Sequence, residues 1–290
     1  MRLPARLTAA VTTAAAASAL LAPAAAAQDT YEYVALGDSA AAGPLIPNPD
    51  PNLLCLRSRS NYPGVAADLL GAALTDVTCS GAVIDDFSGR QHGFLAPQYD
   101  ALSASTDLVT VTIGGNDAEL VQAAISCINL LPEPIGRSCA DRFTAGGRDE
   151  LAARIAAVEP EFDAALRTIR QRSPRAHVVV VGYGTYIRPG GCYPRQPIWG
   201  RDATYVQQAV DGISAMLAEV SARHGATFVD IGPMSVGHDV CAPIGEKWFE
   251  GVLPTSPAAP LHPNEAGMRA FGEAVAAAVK ATSPTPATAS

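Results

Sequence analysis

The sequence has little charge and no cluster of basic residues. Charged residues make up 17% of the 290 residues, and the formal net charge is −8. Proteins bind nucleic acids and anionic lipid headgroups chiefly through grouped lysine and arginine side chains. The composition therefore argues against nucleic acid as a partner. Hydrophobic residues, at 48%, are numerous enough to build a buried core.

Long apolar runs are also missing after the N-terminal segment. No uncharged apolar stretch there approaches the roughly 20 residues of a membrane-spanning helix, so we predict no membrane span. The N-terminal segment itself has a basic start, Arg2 and Arg6, then an Ala/Leu-rich stretch, then alanines at residues 25–27. This layout predicts a secretory signal peptide at residues 1–27 rather than a membrane anchor, and hence an extracellular protein.

Three short motifs are absent, and each absence excludes a class of chemistry. The sequence has no Cys-x-x-Cys pair and no His-Glu-x-x-His segment, so the usual zinc and thioredoxin-like sites are not expected. It also has no Gly-x-Ser-x-Gly segment, which removes the nucleophile elbow of the classical α/β-hydrolases. We therefore expect neither a metal nor a cofactor.

Cysteines are few but even in number. The six are Cys55, Cys79, Cys127, Cys139, Cys192 and Cys241. In an exported chain this pattern favours disulfides over metal binding or redox use. Pairing in sequence order closes the shortest loops, but other pairings stay open because spacing alone does not choose among them.

Apolar segments of strand length alternate with helical patterns along the chain. The segments are rich in valine, isoleucine and threonine with little polar alternation, as in a parallel sheet covered on both faces. Strands are predicted at residues 31–36, 73–79, 108–113, 177–183 and 226–231. Helices are predicted at residues 148–174, 204–225 and 263–279, and Pro160 is expected to kink or restart the first.

This alternation predicts one α/β domain at residues 28–280, with a central parallel sheet of about five strands. Two irregular insertions interrupt it, at residues 128–147 and 184–203. Residues 281–290 are small, polar and proline-bearing, and are predicted to be a disordered tail.

A serine follows the first predicted strand, within "YVALGDSAAAGPL". Ser39 stands beyond the carboxyl end of that strand, where open α/β sheets bind ligands. By itself it is an ordinary helix-capping serine, whereas a nucleophile needs a base and donors for an oxyanion. Suitable groups follow other strands, namely Gly81 and Asn116, and His262 precedes the last helix. Because all of these groups are expected at the same edge of the sheet, we interpret Ser39 as a nucleophile.

Four segments resemble the SGNH hydrolase family, whose members are also called GDSL esterases or lipases. "GDS" at residues 37–39, "SGA" at 80–82, "GGND" at 114–117 and "HPN" at 262–264 match its first, second, third and fifth blocks in order. The resemblance covers residues 31–279. It implies a three-layer α/β/α sandwich of the flavodoxin-like kind, and a carboxylic ester hydrolase.

The resemblance also implies a role for each residue of these blocks. Ser39 would be the nucleophile and His262 the general base. The oxyanion hole would consist of the Ser39 and Gly81 N–H groups and the Asn116 side chain. The cysteine layout resembles the secreted actinobacterial branch of the family, which implies the disulfides Cys55–Cys79, Cys127–Cys139 and Cys192–Cys241.

The sequence departs from the family three residues before the histidine. Many members have an aspartate there that completes a Ser-His-Asp triad, whereas this chain has Ala259. The histidine still needs an acceptor on its other ring nitrogen. Since some secreted relatives use a main-chain carbonyl, we expect a Ser39–His262 dyad oriented by the Ala259 carbonyl. The carboxylates that would replace it are Asp86, Asp239 and Glu265.

Other polar and aromatic residues have simpler interpretations. Asp38 is expected to bond nearby backbone, and Asp117 to have a turn or capping role, rather than to take part in chemistry. The remaining histidines are interpreted as surface or structural residues: His92, His177, His224 and His238. Three residues near the C-terminus are candidates for an acyl pocket, with core packing as the alternative: Trp248, Phe249 and Leu253.

The leading hypothesis is a secreted, monomeric serine esterase or lipase whose substrate is a small-molecule or lipid ester. A carbohydrate acetyl esterase with the same site is the alternative, and the mixed composition of residues 184–203 does not decide between them. A catalytically idle binding protein on the same scaffold is disfavoured, because all four reactive positions are present.

Overall fold

The computed structural model describes residues 30–282. The predicted signal peptide at residues 1–27 lies outside this part of the chain, as do residues 283–290 of the predicted tail. Residues 281 and 282 belong to the last helix, so the predicted start of the tail was two residues too early.

A five-stranded sheet forms the centre of the protein. Its strands are β1 (Glu32–Gly37), β2 (Ala73–Asp76), β3 (Leu108–Thr112), β4 (His177–Val181) and β5 (Thr227–Val229). All neighbouring strands are parallel, in the order β2-β1-β3-β4-β5. The predicted parallel sheet is confirmed.

Helices cover both faces of the sheet and complete the three-layer sandwich. They are α1 (Ser39–Ala42), α2 (Tyr62–Leu70), α3 (Leu120–Ser126), α4 (Cys139–Phe143), α5 (Glu150–Arg172), α6 (Gly200–Arg223), α7 (Ile231–Met234) and α8 (Glu265–Thr282). Helix α2 packs against α8, and α5 packs against α6. None of the helices within residues 30–282 is both long and apolar enough to cross a membrane.

Helix α5 shows how the apolar pattern builds the core. The residues at three- to four-residue spacing are all buried: Leu151, Ile155, Val158, Phe162, Leu166 and Ile169. The helix continues through Pro160 and does not restart there, which leaves a kink as the remaining form of the prediction. A proline inside a helix costs about 3 kcal/mol, but buried residues on both sides of Pro160 keep the helix against the core.

Three disulfides fasten the loops, and they are the pairs that the family resemblance implies. Cys55–Cys79 joins the segment before α2 to the segment after β2. Cys127–Cys139 closes the first insertion, and Cys192–Cys241 ties the second insertion to the segment after α7.

The carboxyl end of β1 is held tightly at Gly37. The Gly37 N–H donates to Gln98 Oε1 at 2.8 Å, and its carbonyl accepts from Gln98 Nε2 at 3.0 Å. The next residue, Asp38, donates its N–H to the Thr112 carbonyl at 2.9 Å. A Cβ at Gly37 would lie 2.5 Å from that same carbonyl oxygen. The position of Ser39 is therefore set by the Gln98 side chain and by the backbone bond from Asp38 to Thr112.

Candidate active site

Ser39 occupies the first position of α1, directly beyond β1. Asp38 caps this helix, and its Oδ1 accepts the Ala40 N–H at 2.8 Å. The Ser39 N–H has no acceptor within residues 30–282, as expected for the first turn of a helix. Ser39 thus presents a hydroxyl and an unused N–H at the carboxyl edge of the sheet.

Ser39 and His262 form a hydrogen bond across the fold. The Ser39 Oγ lies 2.7 Å from His262 Nε2, and His262 Nδ1 lies 2.7 Å from the Pro260 carbonyl oxygen. A carbonyl oxygen only accepts, so Nδ1 carries the proton. The Nε2 lone pair is then free to accept the Ser39 hydroxyl proton, which is the arrangement that a general base requires.

The orienting carbonyl belongs to Pro260 and not to Ala259, so the residue predicted from sequence was wrong by one position. Leu261 has a φ of +61°, which turns the chain so that the Pro260 carbonyl faces the imidazole. The Ala259 N–H instead donates to the Pro44 carbonyl at 2.9 Å. The need for a backbone acceptor was predictable, but the turn at Leu261 was not.

No carboxylate within residues 30–282 bonds to His262. The Asp239 carboxylate accepts two hydrogen bonds from Arg188, and Asp86 accepts the Val83 N–H. Glu265 lies at the exposed start of α8. The three carboxylates considered from the sequence therefore either bond to other groups or face solvent, and none orients His262.

Burial lowers the pKa of His262 below its ordinary value of 6.5, while the hydrogen bond to the Pro260 carbonyl opposes the shift. Desolvation disfavours the charged imidazolium, and a carbonyl dipole compensates less than a carboxylate charge would. His262 is therefore neutral, and able to accept a proton, at neutral pH.

Two candidate oxyanion donors, Asn116 and Gly81, lie on segments that are joined by a hydrogen bond. Asn116 shares a pocket with Ser39 and His262. One Asn116 Nδ2–H donates to the Ala82 carbonyl at 2.9 Å, which leaves the second for another acceptor. Gly81 adjoins Ala82 with a φ of +81°, and its N–H has no acceptor in the described part of the chain. Ser39, Gly81 and Asn116 therefore each carry an N–H group that is free to bind an acceptor.

The carboxylate of Asp117 lies beside these donors. Its Oδ1 accepts the N–H of Ile84, a residue 33 positions away in sequence, at 2.9 Å. Its Oδ2 is buried without a partner, and burial raises the pKa of Asp117 to about 6. Asp38 also bonds backbone as expected, through the Ala40 N–H.

An apolar pocket opens beside Ser39 and His262. Aliphatic side chains from α3, α6 and the second insertion dominate its wall, among them Leu120, Val121, Ile187, Ile198, Val206 and Val210. A pocket of this lining binds an alkyl chain by removing its surface from water, at roughly 0.8 kcal/mol for each buried CH₂. No group of three or more potential metal ligands occurs within residues 30–282.

The pocket differs from the one considered from the sequence. Phe249 is fully buried in the core, Trp248 stacks on the His238 ring, and Leu253 is 80% exposed. The other histidines lie outside the pocket, at His92, His177, His224 and His238. The pocket residues sit on elements distant in sequence, so no local pattern marked them.

Sequence reasoning also missed Tyr183, which lies two residues beyond β4. Its hydroxyl accepts the Gly115 N–H at 2.8 Å and donates to Asp38 Oδ2 at 2.7 Å. The position of Tyr183 in the sequence could have marked it as a site residue, because residues beyond the carboxyl ends of parallel strands face the ligand site.

A parallel α/β sandwich with a Ser–His pair at its carboxyl edge and an apolar pocket beside it defines an ester hydrolase arrangement. The family model of the GDSL-like Lipase/Acylhydrolase family matches residues 35–270. The chain belongs to this family and is a carboxylic ester hydrolase of the esterase and lipase type.

Relatives support this assignment in sequence and in structure. The chain is 40% identical over 257 residues to Lipase 2 of Streptomyces coelicolor, covering 86% of each chain. Its fold is similar to the crystal structure of phospholipase A1 from Streptomyces albidoflavus NA297, with a TM-score of 0.71, 28% identity, and coverage of 88% and 100% of the two chains. The extracellular lipase of Streptomyces rimosus is similar with a TM-score of 0.67 and the same identity and coverage.

Proposed function

We propose that this protein is an exported serine esterase or lipase that hydrolyses lipid-like or simple acyl esters through an acyl-enzyme on Ser39. The observation that carries the proposal is the 2.7 Å contact between Ser39 Oγ and His262 Nε2 at the mouth of an apolar pocket. A serine needs a base at this distance to attack an ester. His262, oriented by the Pro260 carbonyl, is that base.

In the first half of the reaction, Ser39 Oγ bonds to the ester carbonyl carbon and its proton moves to His262 Nε2. The carbonyl oxygen becomes an oxyanion that accepts from the Ser39 and Gly81 N–H groups and the Asn116 amide. His262 then returns the proton to the alcohol oxygen as the carbon–oxygen bond breaks. The alcohol leaves, and the acyl group stays on Ser39.

In the second half, water replaces the alcohol. It transfers a proton to His262 while its oxygen bonds to the acyl carbon, and the same donors hold the oxyanion. Collapse of this intermediate breaks the bond to Ser39 Oγ, which recovers its proton from His262. The carboxylic acid leaves, and water is the only co-reactant.

The pocket favours an acyl chain over an acetyl group on a sugar. Its wall is mainly aliphatic, and Tyr186 and Gln196 are among its few aromatic and polar members outside the reacting groups. An alkyl chain suits such a wall better than a sugar does, because carbohydrate recognition relies on many polar contacts. The names of the relatives, Lipase 2 and phospholipase A1, agree with a lipid-like substrate.

Three further features belong to the proposal. Three disulfides and a relative described as an extracellular lipase support export. The proposed site needs no residue from a second copy of the chain, and we propose a monomeric enzyme. The net charge of −8 supports a role without nucleic acid.

The test is hydrolysis of p-nitrophenyl esters from acetate to palmitate by the mature protein and by folded Ser39→Ala. We expect Ser39→Ala to lower kcat by at least about 10³-fold, because the nucleophile is lost. The matched control is Ser88→Ala, which removes an exposed serine hydroxyl outside the pocket and should leave kcat unchanged.

The chain-length profile identifies the substrate class. A higher kcat/KM for longer acyl chains supports the lipid-like substrate, whereas turnover of acetate alone supports a short-acyl or carbohydrate ester. Turnover that Ser39→Ala retains, or that is absent for every ester, would contradict the proposed function.

A further inference from the structure

Beneath the candidate site, three buried groups join the segments that carry Ser39 and Asn116. The Gly115 N–H donates to Tyr183 Oη at 2.8 Å, and the Tyr183 O–H donates to Asp38 Oδ2 at 2.7 Å. Asp38 Oδ1 accepts the Ala40 N–H at 2.8 Å. Asp38 is 2% exposed and Tyr183 is 8% exposed, so solvent hardly competes for these bonds.

The direction of each bond is dictated by the groups themselves. A backbone N–H only donates, so the Tyr183 oxygen accepts from Gly115 and its single proton goes to Asp38. Burial, followed by the neighbouring Asp38 carboxylate, raises the pKa of the Tyr183 phenol, which keeps it a donor. Burial also raises the pKa of Asp38 to about 7, while the bonds from Tyr183 and Ala40 favour its ionised form.

The hydrogen bonds from Gly115 to Tyr183 and from Tyr183 to Asp38 form one connection, and its two ends lie next to the reacting groups in sequence. Asp38 precedes Ser39, and Gly115 precedes Asn116. The fit is close, since a Cβ at Gly115 would lie 2.9 Å from Tyr183 Oη. A shift of the Tyr183 hydroxyl therefore moves the backbone that carries Asn116 relative to the turn that carries Ser39.

We propose that Tyr183 is a positioning residue for ester hydrolysis, whose hydroxyl, held between Asp38 and Gly115, sets the Asn116 amide against the oxyanion that forms at Ser39. The inference rests on the proposed function, because it concerns the same reaction. Tyr183 also lines the pocket, but its hydroxyl is bonded to Gly115 and Asp38, and the proposed role runs through these two bonds. Displacement of an oriented group by about 1 Å costs on the order of 10² in rate.

The chain offers a matched comparison at Tyr33. This tyrosine is fully buried, and its hydroxyl bonds to Thr110 Oγ1 at 2.8 Å within the sheet. Tyr33→Phe and Tyr183→Phe therefore make the same chemical change in buried surroundings. Only the hydroxyl of Tyr183 connects to the segments of Ser39 and Asn116.

The experiment compares steady-state kinetics of the two variants on the p-nitrophenyl ester that the wild type turns over fastest. We expect Tyr183→Phe to lower kcat by about 10- to 100-fold with KM within about twofold, because a positioning loss affects the transition state more than ground-state binding. Tyr33→Phe should keep kcat within about twofold. A kcat for Tyr183→Phe like that of Tyr33→Phe would overturn the inference.

Amide hydrogen exchange of Gly115, measured by NMR, tests the connection without reference to activity. We expect faster exchange in Tyr183→Phe than in wild type or Tyr33→Phe, because the Gly115 N–H loses its acceptor. Unchanged exchange would overturn the inference even if kcat fell. Absence of Ser39-dependent turnover in the wild type would instead contradict the proposed function, and the exchange result would still report on the connection.

Asp38→Asn provides a second variant that keeps the side-chain shape. A carboxamide has one acceptor oxygen for the two donors that the carboxylate accepts, so kcat should fall here too. In the double variant with Tyr183→Phe, we expect kcat close to that of the slower single variant, since both act on one connection. Losses that multiply would show independent effects and contradict the inference.

Discussion

At the scale of residues, a backbone carbonyl takes the place that an acidic side chain has in a Ser-His-Asp triad. The Pro260 carbonyl fixes the tautomer of His262, so Nε2 faces Ser39 with its lone pair. A carbonyl carries no net charge, so it stabilises the imidazolium less than a carboxylate does. Burial therefore dominates, and the pKa of His262 falls.

This environment predicts the pH dependence of the reaction. In the proposed mechanism only neutral His262 accepts the Ser39 proton, and a lowered pKa keeps His262 neutral to more acidic pH. We expect the kcat/KM limb that His262 controls to fall by about tenfold per pH unit below the pKa of His262, which lies below 6.5.

The imidazole can be followed directly by NMR of ¹³C-labelled histidine, with His262 assigned by loss of its signal in His262→Gln. The expected midpoint lies below the ordinary value of 6.5. Titration of this imidazole above that value would contradict the prediction. A kinetic midpoint near 7 would point to Asp38 instead, whose pKa burial raises to about 7.

At the scale of elements, α2 and α8 approach closely because a glycine lies at their crossing. A Cβ at Gly272 would lie 2.5 Å from Val65 Cβ and 2.8 Å from the Tyr62 carbonyl oxygen. Helix α8 follows directly after the segment of His262, so this packing also anchors the turn that holds the imidazole. Close contact here depends on the absence of a side chain.

We expect Gly272→Ala to lower the free energy of unfolding by about 1–3 kcal/mol, because the added methyl group has no space. Gly212→Ala in α6 is the matched control, since its Cβ would meet Ile155 Cδ1 at an ordinary 3.6 Å. There the greater helix propensity of alanine should stabilise the protein by roughly 0.5–1 kcal/mol. Urea unfolding of both variants measures the two values, and equal effects would disprove the packing explanation.

At the scale of the whole molecule, disulfides attach the irregular insertions to the sandwich. Cys192–Cys241 spans a sequence separation of 49 residues and joins two segments that contribute to the pocket wall. Cys127–Cys139 spans 12 residues and closes the insertion after α3. The longer loop constrains the unfolded chain more.

Removal of each disulfide by paired alanine substitutions should therefore have unequal effects. From the entropy of the unfolded chain, we expect the free energy of unfolding to fall by about 4 kcal/mol without Cys192–Cys241 and by roughly 3 kcal/mol without Cys127–Cys139. Guanidinium unfolding of both variants and the wild type provides the measurement. A larger decrease in the free energy of unfolding on removal of Cys127–Cys139 would show that contacts in the folded state, and not the entropy of the unfolded chain, determine the effect of each disulfide.

The sequence by itself determined the strand-forming segments, the α/β class and the identity of the candidate residues Ser39, Gly81, Asn116 and His262. These features are local or ordered along the chain: apolar runs make buried strands, and parallel strands bring their carboxyl ends to one edge. Any residue placed just beyond such a strand therefore reaches the same region.

Only the tertiary structure decided that Pro260 rather than Ala259 faces His262, that Tyr183 joins Asp38 to Gly115, and which side chains line the pocket. The direction of a carbonyl depends on the backbone angles around it, here the φ of +61° at Leu261. Contacts such as Tyr183 with Asp38 join residues 145 positions apart, and no spacing rule relates them. Such contacts exist only once the sheet and its loops have packed.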